Sequence, residues 1–382
     1  YPWYDTSGKG NNALITDSRF RATDGGYFAF DGTGDYLTVP STSDFAFGTE
    51  DFTVEYWVKT NLGGYPYGYW SGGSPAGSLM DRLDYDNDTA TAVTKGPLSS
   101  AKGYMGAHST KDYAYWSGGY NDSTYLTTID RTDYSSDTTT AVAKGPLSLA
   151  KLSLSGAGNL SYGYWGGGST PGPSGRISSV DRTDYSNDTA TAVAKGPLTY
   201  ATQYPASTGT PSYGYWAGGI SPSSPAGYNT SGVSRIDYSS DTPTAATKGP
   251  LSYGRSTISA TGNASYGYFG GGNKGVPAKG THIDRIDYSN DTATASPKGN
   301  FEDPMHGGGS NGNSSDGYWN GGAQQPTYIS RIDYSNDTAI ATRRAYQSSN
   351  FKRGNVGTGS RIQGFDSLTA ANIINPDSET GS

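Results

Sequence analysis

Six times in this sequence an Asp-Tyr pair leads into a short polar run, at Asp84-Tyr85, Asp133-Tyr134, Asp184-Tyr185, Asp237-Tyr238, Asp287-Tyr288 and Asp333-Tyr334. In Asp184-Tyr185-Ser186-Asn187-Asp188, oxygen-bearing side chains fall at alternate positions, as they do in a calcium loop. The run lacks the central Gly and distal Glu of an EF-hand. A turn held by Asx side chains that bond their own backbone is the expected structure instead. The sequons at Asn87, Asn187, Asn290 and Asn336 fall in the same runs, where Asn serves as turn chemistry.

Metal and acid–base chemistry find little support. His282 and His306 have no second ligand at a usable spacing, so no metal or other cofactor is expected. The carboxylates sit mostly at the repeated turn positions, which a single hydrolytic pair would not require. We therefore expect a protein that binds or assembles, not an enzyme.

The elements that must position any ligand-binding group follow from a repeat. Tyr67-Gly68-Tyr69-Trp70 recurs as Tyr113-Ala114-Tyr115-Trp116, Tyr162-Gly163-Tyr164-Trp165, Tyr213-Gly214-Tyr215-Trp216, Tyr266-Gly267-Tyr268-Phe269 and Gly317-Tyr318-Trp319. A Gly pair or its equivalent follows each, and the last aromatic recurs every 46 to 53 residues, a period near 50. After each Asp-Tyr comes a Thr/Ala/Val stretch ending in Lys-Gly-Pro at 95–97, 144–146, 195–197 and 248–250, which weakens to Lys298-Gly299-Asn300 and vanishes in the sixth unit. These markers predict four short antiparallel strands per unit: one after Lys-Gly-Pro-Leu, then Tyr-Gly-Tyr-Trp, then Arg-Ile-Asp-Tyr, then Thr-Ala-Thr-Ala-Val.

Six such blades make an all-β propeller. Trp70, Trp116, Trp165, Trp216, Phe269 and Trp319 are expected in its core; one aromatic per blade at a fixed strand position suits packing better than a ring for stacking sugars. The Arg and Asp of Arg182-Thr183-Asp184 share a strand face and are expected to pair charges with the next blade. The first unit begins on its second strand. Phe351-Lys352-Arg353-Gly354-Asn355-Val356 resembles Tyr253-Gly254-Arg255-Ser256-Thr257-Ile258, so residues near 350–360 are expected to complete the first blade and close the ring, leaving no free edge at the join.

Between the second and third strands the loops differ from blade to blade: 74–80, 120–127, 169–179, 220–233, 273–282 and 323–329. Equivalent connections emerge on one face, which makes that face the candidate for recognition, although loops also vary where nothing constrains them. Tyr120, Tyr125, Tyr228 and Tyr328, with Asn121, Asp122, Asn229 and Lys274, offer the stacking and hydrogen-bonding groups that suit sugars.

Composition bounds the partners. The chain has 382 residues, 56 of them Gly and 32 Tyr, no Cys and a formal net charge of -7. Aromatic rings must supply much of the buried area, and the charge offers no footprint for nucleic acid. No run of about 18 apolar residues occurs, so no membrane insertion is expected. Tyr1 opens the sequence without a signal pattern, which suggests a processed chain or a fragment.

Over residues 63–360 the glycine pair after an aromatic strand, in a repeat of this length, resembles kelch propellers. That family includes a copper oxidase whose centre needs a Cys cross-linked to Tyr together with His ligands. No Cys and only His108, His282 and His306 are present here. Residues 1–62 contain Asp5-Thr6-Ser7-Gly8-Lys9-Gly10-Asn11-Asn12, Phe28-Ala29-Phe30-Asp31-Gly32-Thr33-Gly34-Asp35-Tyr36-Leu37-Thr38-Val39-Pro40 and Asp51-Phe52-Thr53-Val54-Glu55-Tyr56-Trp57-Val58. They resemble the opening third of a concanavalin A-like, laminin G-type sandwich, too short to carry that family's ligand-binding half. Residues 361–382 form a tail. Together the laminin G-type opening and the repeated Arg-Ile-Asp-Tyr-Ser-Asn-Asp-Thr-Ala-Thr-Ala resemble marine bacteriophage, notably cyanophage, tail or capsid appendages. That resemblance implies an extracellular place on the virion surface, with other virion proteins and a host glycan or receptor as partners. A purely structural decoration or connector is the main alternative, and a polysaccharide hydrolase a more distant one.

Overall fold

A computed structural model describes residues 66–172, 175–222, 229–274, 280–320, 328–348 and 354–359, with the N-terminal stretches 2–3, 11–16, 19–21, 27–29 and 36–38. The chain divides into two compact units, the larger being Lys59–Leu368. In the N-terminal unit Pro2–Trp3 pairs with Ala13–Thr16, which pairs with Tyr36–Thr38, and Arg19–Arg21 forms a separate ladder with Tyr27–Ala29. Of the sandwich-like sequence, 5–10, 30–35 and 51–58 lie outside the described residues, as does the 361–382 tail.

The larger unit contains six four-stranded antiparallel sheets. Blade 2 is Gly106–Ser109, Tyr113–Ser117, Ile129–Asp133 and Val142–Lys144 in spatial order, and blades 3 to 6 repeat this arrangement along the chain. Blade 1 is built from both ends of the unit: Val356–Gly359 pairs with Tyr67–Ser71, followed by Met80–Asp84 and Val93–Lys95. Each innermost strand contacts those of the blades on either side, right round the axis. This is a closed six-bladed β-propeller.

The closing strand is where the sequence placed it, but its register differs by one residue. Val356 pairs opposite Ser71 as Ser259 pairs opposite Gly270, so Val356 matches Ser259 and not Ile258. The marker is the left-handed residue two positions before the strand, Gly354 in blade 1 and Thr257 in blade 5.

Within Tyr-Gly-Tyr-Trp, side chains alternate between sheet faces, so Tyr69 and Trp70 are both fully buried but against different neighbouring blades. The six Trp/Phe positions are all at most 2% exposed. The third-strand residue opposite the Gly or Ala two positions before the Trp decides where the indole N–H goes. Blades 2 and 3 have Thr132 and Thr183, whose hydroxyls accept from Trp116 and Trp165 at 3.1 and 2.9 Å. Blades 4 and 6 have Ile236 and Ile332 there, and Trp216 and Trp319 instead donate to Ser155 O and Ser259 O on the preceding blade.

One seam, repeated six times, joins each blade to the next. The second-strand tyrosine stacks on the Asp-Tyr tyrosine of the following blade, pairing Tyr69 with Tyr134, Tyr115 with Tyr185, Tyr164 with Tyr238, Tyr215 with Tyr288, Tyr268 with Tyr334 and Tyr318 with Tyr85, centroids 4.5–4.9 Å apart. Its hydroxyl donates to the last Asp of the following blade's turn, as from Tyr164 to Asp241 at 2.9 Å. The same carboxylate receives the third-strand Arg and the fourth-strand Lys: Arg182 at 2.7 Å and Lys195 at 3.0 Å. Burial raises the Asp241 carboxyl, but hydrogen bonds from Lys195 and Tyr164 outweigh it and hold the group below its usual range.

This geometry corrects the expected charge pairing. Arg182 does cross to its neighbour, but its partner is Asp241, four residues after that blade's Val233–Asp237 strand; Asp184 instead accepts from the Ser186 backbone N–H and hydroxyl and caps its own turn. The Asx-turn reading of Asp-Tyr-Ser-Asn-Asp therefore stands, as a single 3-10 turn in five of the six blades. Glycine of Lys-Gly-Pro is needed where the seam is tightest: a Cβ on Gly145 would lie 1.9 Å from the Ala190 carbonyl oxygen.

Candidate binding face

Two sets of connections share one face of the disc: those from second to third strand, and those entering each blade's innermost strand. They bridge one another, Gly103 to Tyr120, Leu152 to Ser169, Gln203 to Ile220 and Ser256 to Asn273. The opposite face carries the uniform capped turns.

The sequence-derived residues fall into two groups there. Tyr120 and Tyr125, both partly buried, meet edge to face at 5.7 Å and pair through their backbones. Asn121 is exposed, but its Oδ1 accepts from the backbone N–H groups of Ser123 and Thr124, so its oxygen holds the loop's turn. Asp122 has left-handed backbone (φ 66°), and its carboxylate accepts from the Ala76 N–H of the blade 1 loop at 2.7 Å. In the second group Asn229 donates through Nδ2 to Asn273 O at 2.8 Å, and exposed Lys274 sits 4.1 Å from the centre of the Tyr253 ring. Most of these side chains therefore brace the loops.

Tyr228 lies outside the described residues. Tyr328 is not a loop residue: it opens the third strand of blade 6, is 4% exposed, and has Arg343 over its ring at 4.5 Å. The sixth unit lacks the Lys-Gly-Pro marker, and a bulge between Ile329 and Ser330 shifts the local register. The histidines are also engaged. His282 meets Tyr253 edge to face at 5.3 Å, and His108 Nδ1 lies 2.6 Å from the Tyr185 hydroxyl, with burial pushing its pKa down to about 4. Among the described residues no cluster of three or more His, Asp or Glu is placed to hold a metal ion.

The sequence did not single out the centre of this face. Tyr104, Ser153, Tyr204, Thr257, Gly307 and Gly354 each stand two or three residues ahead of an innermost strand, all with positive φ between 54° and 83°. Their backbones run in a belt around the axis: Tyr104 N–H donates to Gly354 O, Ser153 to Tyr104, Tyr204 to Ser153, Gly307 to Thr257 and Gly354 to Gly307, at 2.6–2.9 Å. Four of the six carry side chains where the left-handed region disfavours them, β-branched Thr257 most of all. Inside the belt lies a cavity of about 100 Å3, with the Tyr104 and Tyr204 rings edge to face at 5.9 Å on its wall. The one signal in the sequence was glycine at this position in two blades, 307 and 354.

With this geometry in hand, comparison places the fold. The chain is similar to the solved structure of YjhT, with a TM-score of 0.52 and 10% identity, covering 66% of this chain and 89% of that one. At that identity the likeness is one of fold. No family model matches the sequence, and no curated protein does either.

Proposed function

We propose that this chain is a non-catalytic binding protein of a bacteriophage surface, part of a tail fibre or capsid spike, that engages host carbohydrate through the loop-bearing face of its propeller. The observation that supports this most is the asymmetry of the disc. One face is six near-identical capped turns; the other combines six dissimilar loops with a strained belt around an axial cavity. Variation and backbone strain concentrate where proteins recognise ligands. Among the described residues the last Asp of each turn is bound into a seam, which takes that repeated carboxylate out of reach of a hydrolytic pair and argues against a polysaccharide hydrolase. The phage setting rests on the repeat and the sandwich-like opening.

The connector reading has its own support. Asn121, Asp122 and Asn229 are engaged in holding loops in place, as expected of a structural part. A glycan array probed with the full chain decides between them: specific binding supports host recognition. Silence on the array, together with regular high-copy placement on imaged particles, would replace it with the connector.

A further inference from the structure

We propose that the axial mouth of the belt seats one uncharged sugar ring, the terminal unit of the host glycan; this rests on the carbohydrate reading above and gives it a location that none of the loop residues supplies.

The cavity holds about 100 Å3, several times the roughly 10–15 Å3 that one water needs on the same measure. That is room for a single ring, not for a chain. Among the described residues no charged side chain lines it. A charged ligand would lose its hydration there and gain no partner.

Two kinds of wall remain. The Tyr104 and Tyr204 rings, each partly buried, offer the apolar surface on which a sugar's C–H face packs. Beside them are polar side chains without partners. Asn355 is 6% exposed and neither its Oδ1 nor its Nδ2 makes a hydrogen bond; Ser153 is 3% exposed and its hydroxyl makes none. Buried side-chain amides are ordinarily satisfied, so an orphan on a cavity wall asks for an explanation.

Chemistry narrows the occupant. Asn355 presents an acceptor and a donor together, and Ser153 can do either. Phosphate only accepts and an ammonium only donates, whereas each sugar hydroxyl does both. A rotamer change of Asn355 and Ser153, common when side chains meet a ligand, brings these groups to the hydroxyls. Burying Asn355 unpaired costs stability in the free protein, which fits a residue kept for binding.

The test uses the full chain. Glucose, galactose and N-acetylglucosamine are titrated against it by saturation-transfer NMR, with glucuronate, glucosamine and inorganic phosphate as charged probes. A neutral sugar is expected to bind, to weaken at least tenfold in Asn355→Leu, and to leave that variant's melting temperature unchanged or raised. If Asn355→Leu does not fold, Ser153→Ala takes its place. Preference for a charged probe overturns the neutral seat. A neutral sugar that binds Asn355→Leu as well as it binds the native chain, and loses affinity in Tyr125→Ala, moves the site to the loops and leaves the carbohydrate reading intact. No sugar or glycan bound by the full chain overturns both.

Discussion

The guanidinium of Arg331 lies 2.9 Å from the carboxylate of Asp88, although 243 residues separate them in the chain. Tyr318 and Arg344 reach the same carboxylate, at 3.0 and 2.8 Å. The seam between the last blade and the first therefore uses the same parts as the five within the chain, with Arg in place of Lys at the fourth strand. A ring closed by equivalent contacts has no weak joint among its seams, so the one join that is not continuous chain lies inside blade 1.

Asp88→Asn removes the negative charge shared by three donors and turns an amide NH2 toward them, at a position only 5% exposed. Breaking a largely buried ion pair from one side costs about 3 kcal/mol or more. Asp184→Asn touches only an exposed turn cap and is expected to cost about 1 kcal/mol or less. Urea unfolding of the two variants beside the parent measures the difference; equal losses would show that the cross-blade role of the turn's last Asp is misjudged.

Gly357→Ala tests the join within blade 1. A Cβ on Gly357 would lie 2.6 Å from Ser310 O and 2.9 Å from Ser310 N, both backbone atoms of blade 6. The innermost strands would have to separate, an overpacking cost of about 1–3 kcal/mol. Because it falls on the closing strand, the variant is also expected to form dimers or larger species through exchanged strands. Size-exclusion chromatography with light scattering at increasing concentration reads this; a purely monomeric variant of native stability contradicts it.

The closing strand, matched once and locally to 253–258, was placed in the right blade but one residue out of register, whereas the blade strands and the buried Trp70 series were legible because period-two alternation recurs in phase six times. The seam acid was not. Asp184 and Asp188 recur equally often, and only the placement of the next blade decides that the last Asp of the turn crosses the seam while the first caps it. The axial mouth escaped because left-handed backbone leaves no mark on Tyr104, Ser153 or Tyr204. It is set by the belt of hydrogen bonds, a relation between blades.

Blades 2, 3 and 5 each bury a base against an acid: Lys102 with Asp130 at 3.3 Å, Lys151 with Asp181 at 3.1 Å, Arg255 with Asp284 at 2.9 Å. Blade 4 has Thr202 and Ser234 at these places, and blade 6 has Met305 and Ser330. The sites change together, since a lone buried charge is worse than none. Lys102→Thr alone is expected to cost about 3–5 kcal/mol by stranding Asp130. Adding Asp130→Ser, which copies blade 4, is expected to recover most of that. Denaturation of both singles and the double forms the cycle, and additive losses would remove the coupling.

His108 gives the ring a pH response distinct from that of the seams. Its folded value of about 4 lies below the ordinary value of about 6.5 because burial penalises the charged ring. Below pH 6.5 the unfolded chain takes up a proton that the fold refuses, so stability falls between about pH 6.5 and 4 and then levels, by on the order of 3 kcal/mol. His282, depressed by burial and by Lys274, adds a share of the same sign. The seam carboxylates behave differently: Asp88, Asp241 and Asp291 are raised by burial but held below their usual range by hydrogen bonds from Arg344, Lys195 and Lys248 and from their tyrosines. Their contribution is complete above about pH 4 and disappears as pH falls through the folded values. Urea midpoints from pH 8 to 3 should thus fall in two stages. His108→Gln, which keeps a polar partner for Tyr185, is expected to shrink the upper stage and leave the lower one in place. An unchanged slope between pH 6.5 and 4.5 in that variant would mean that the buried imidazole does not set the upper stage.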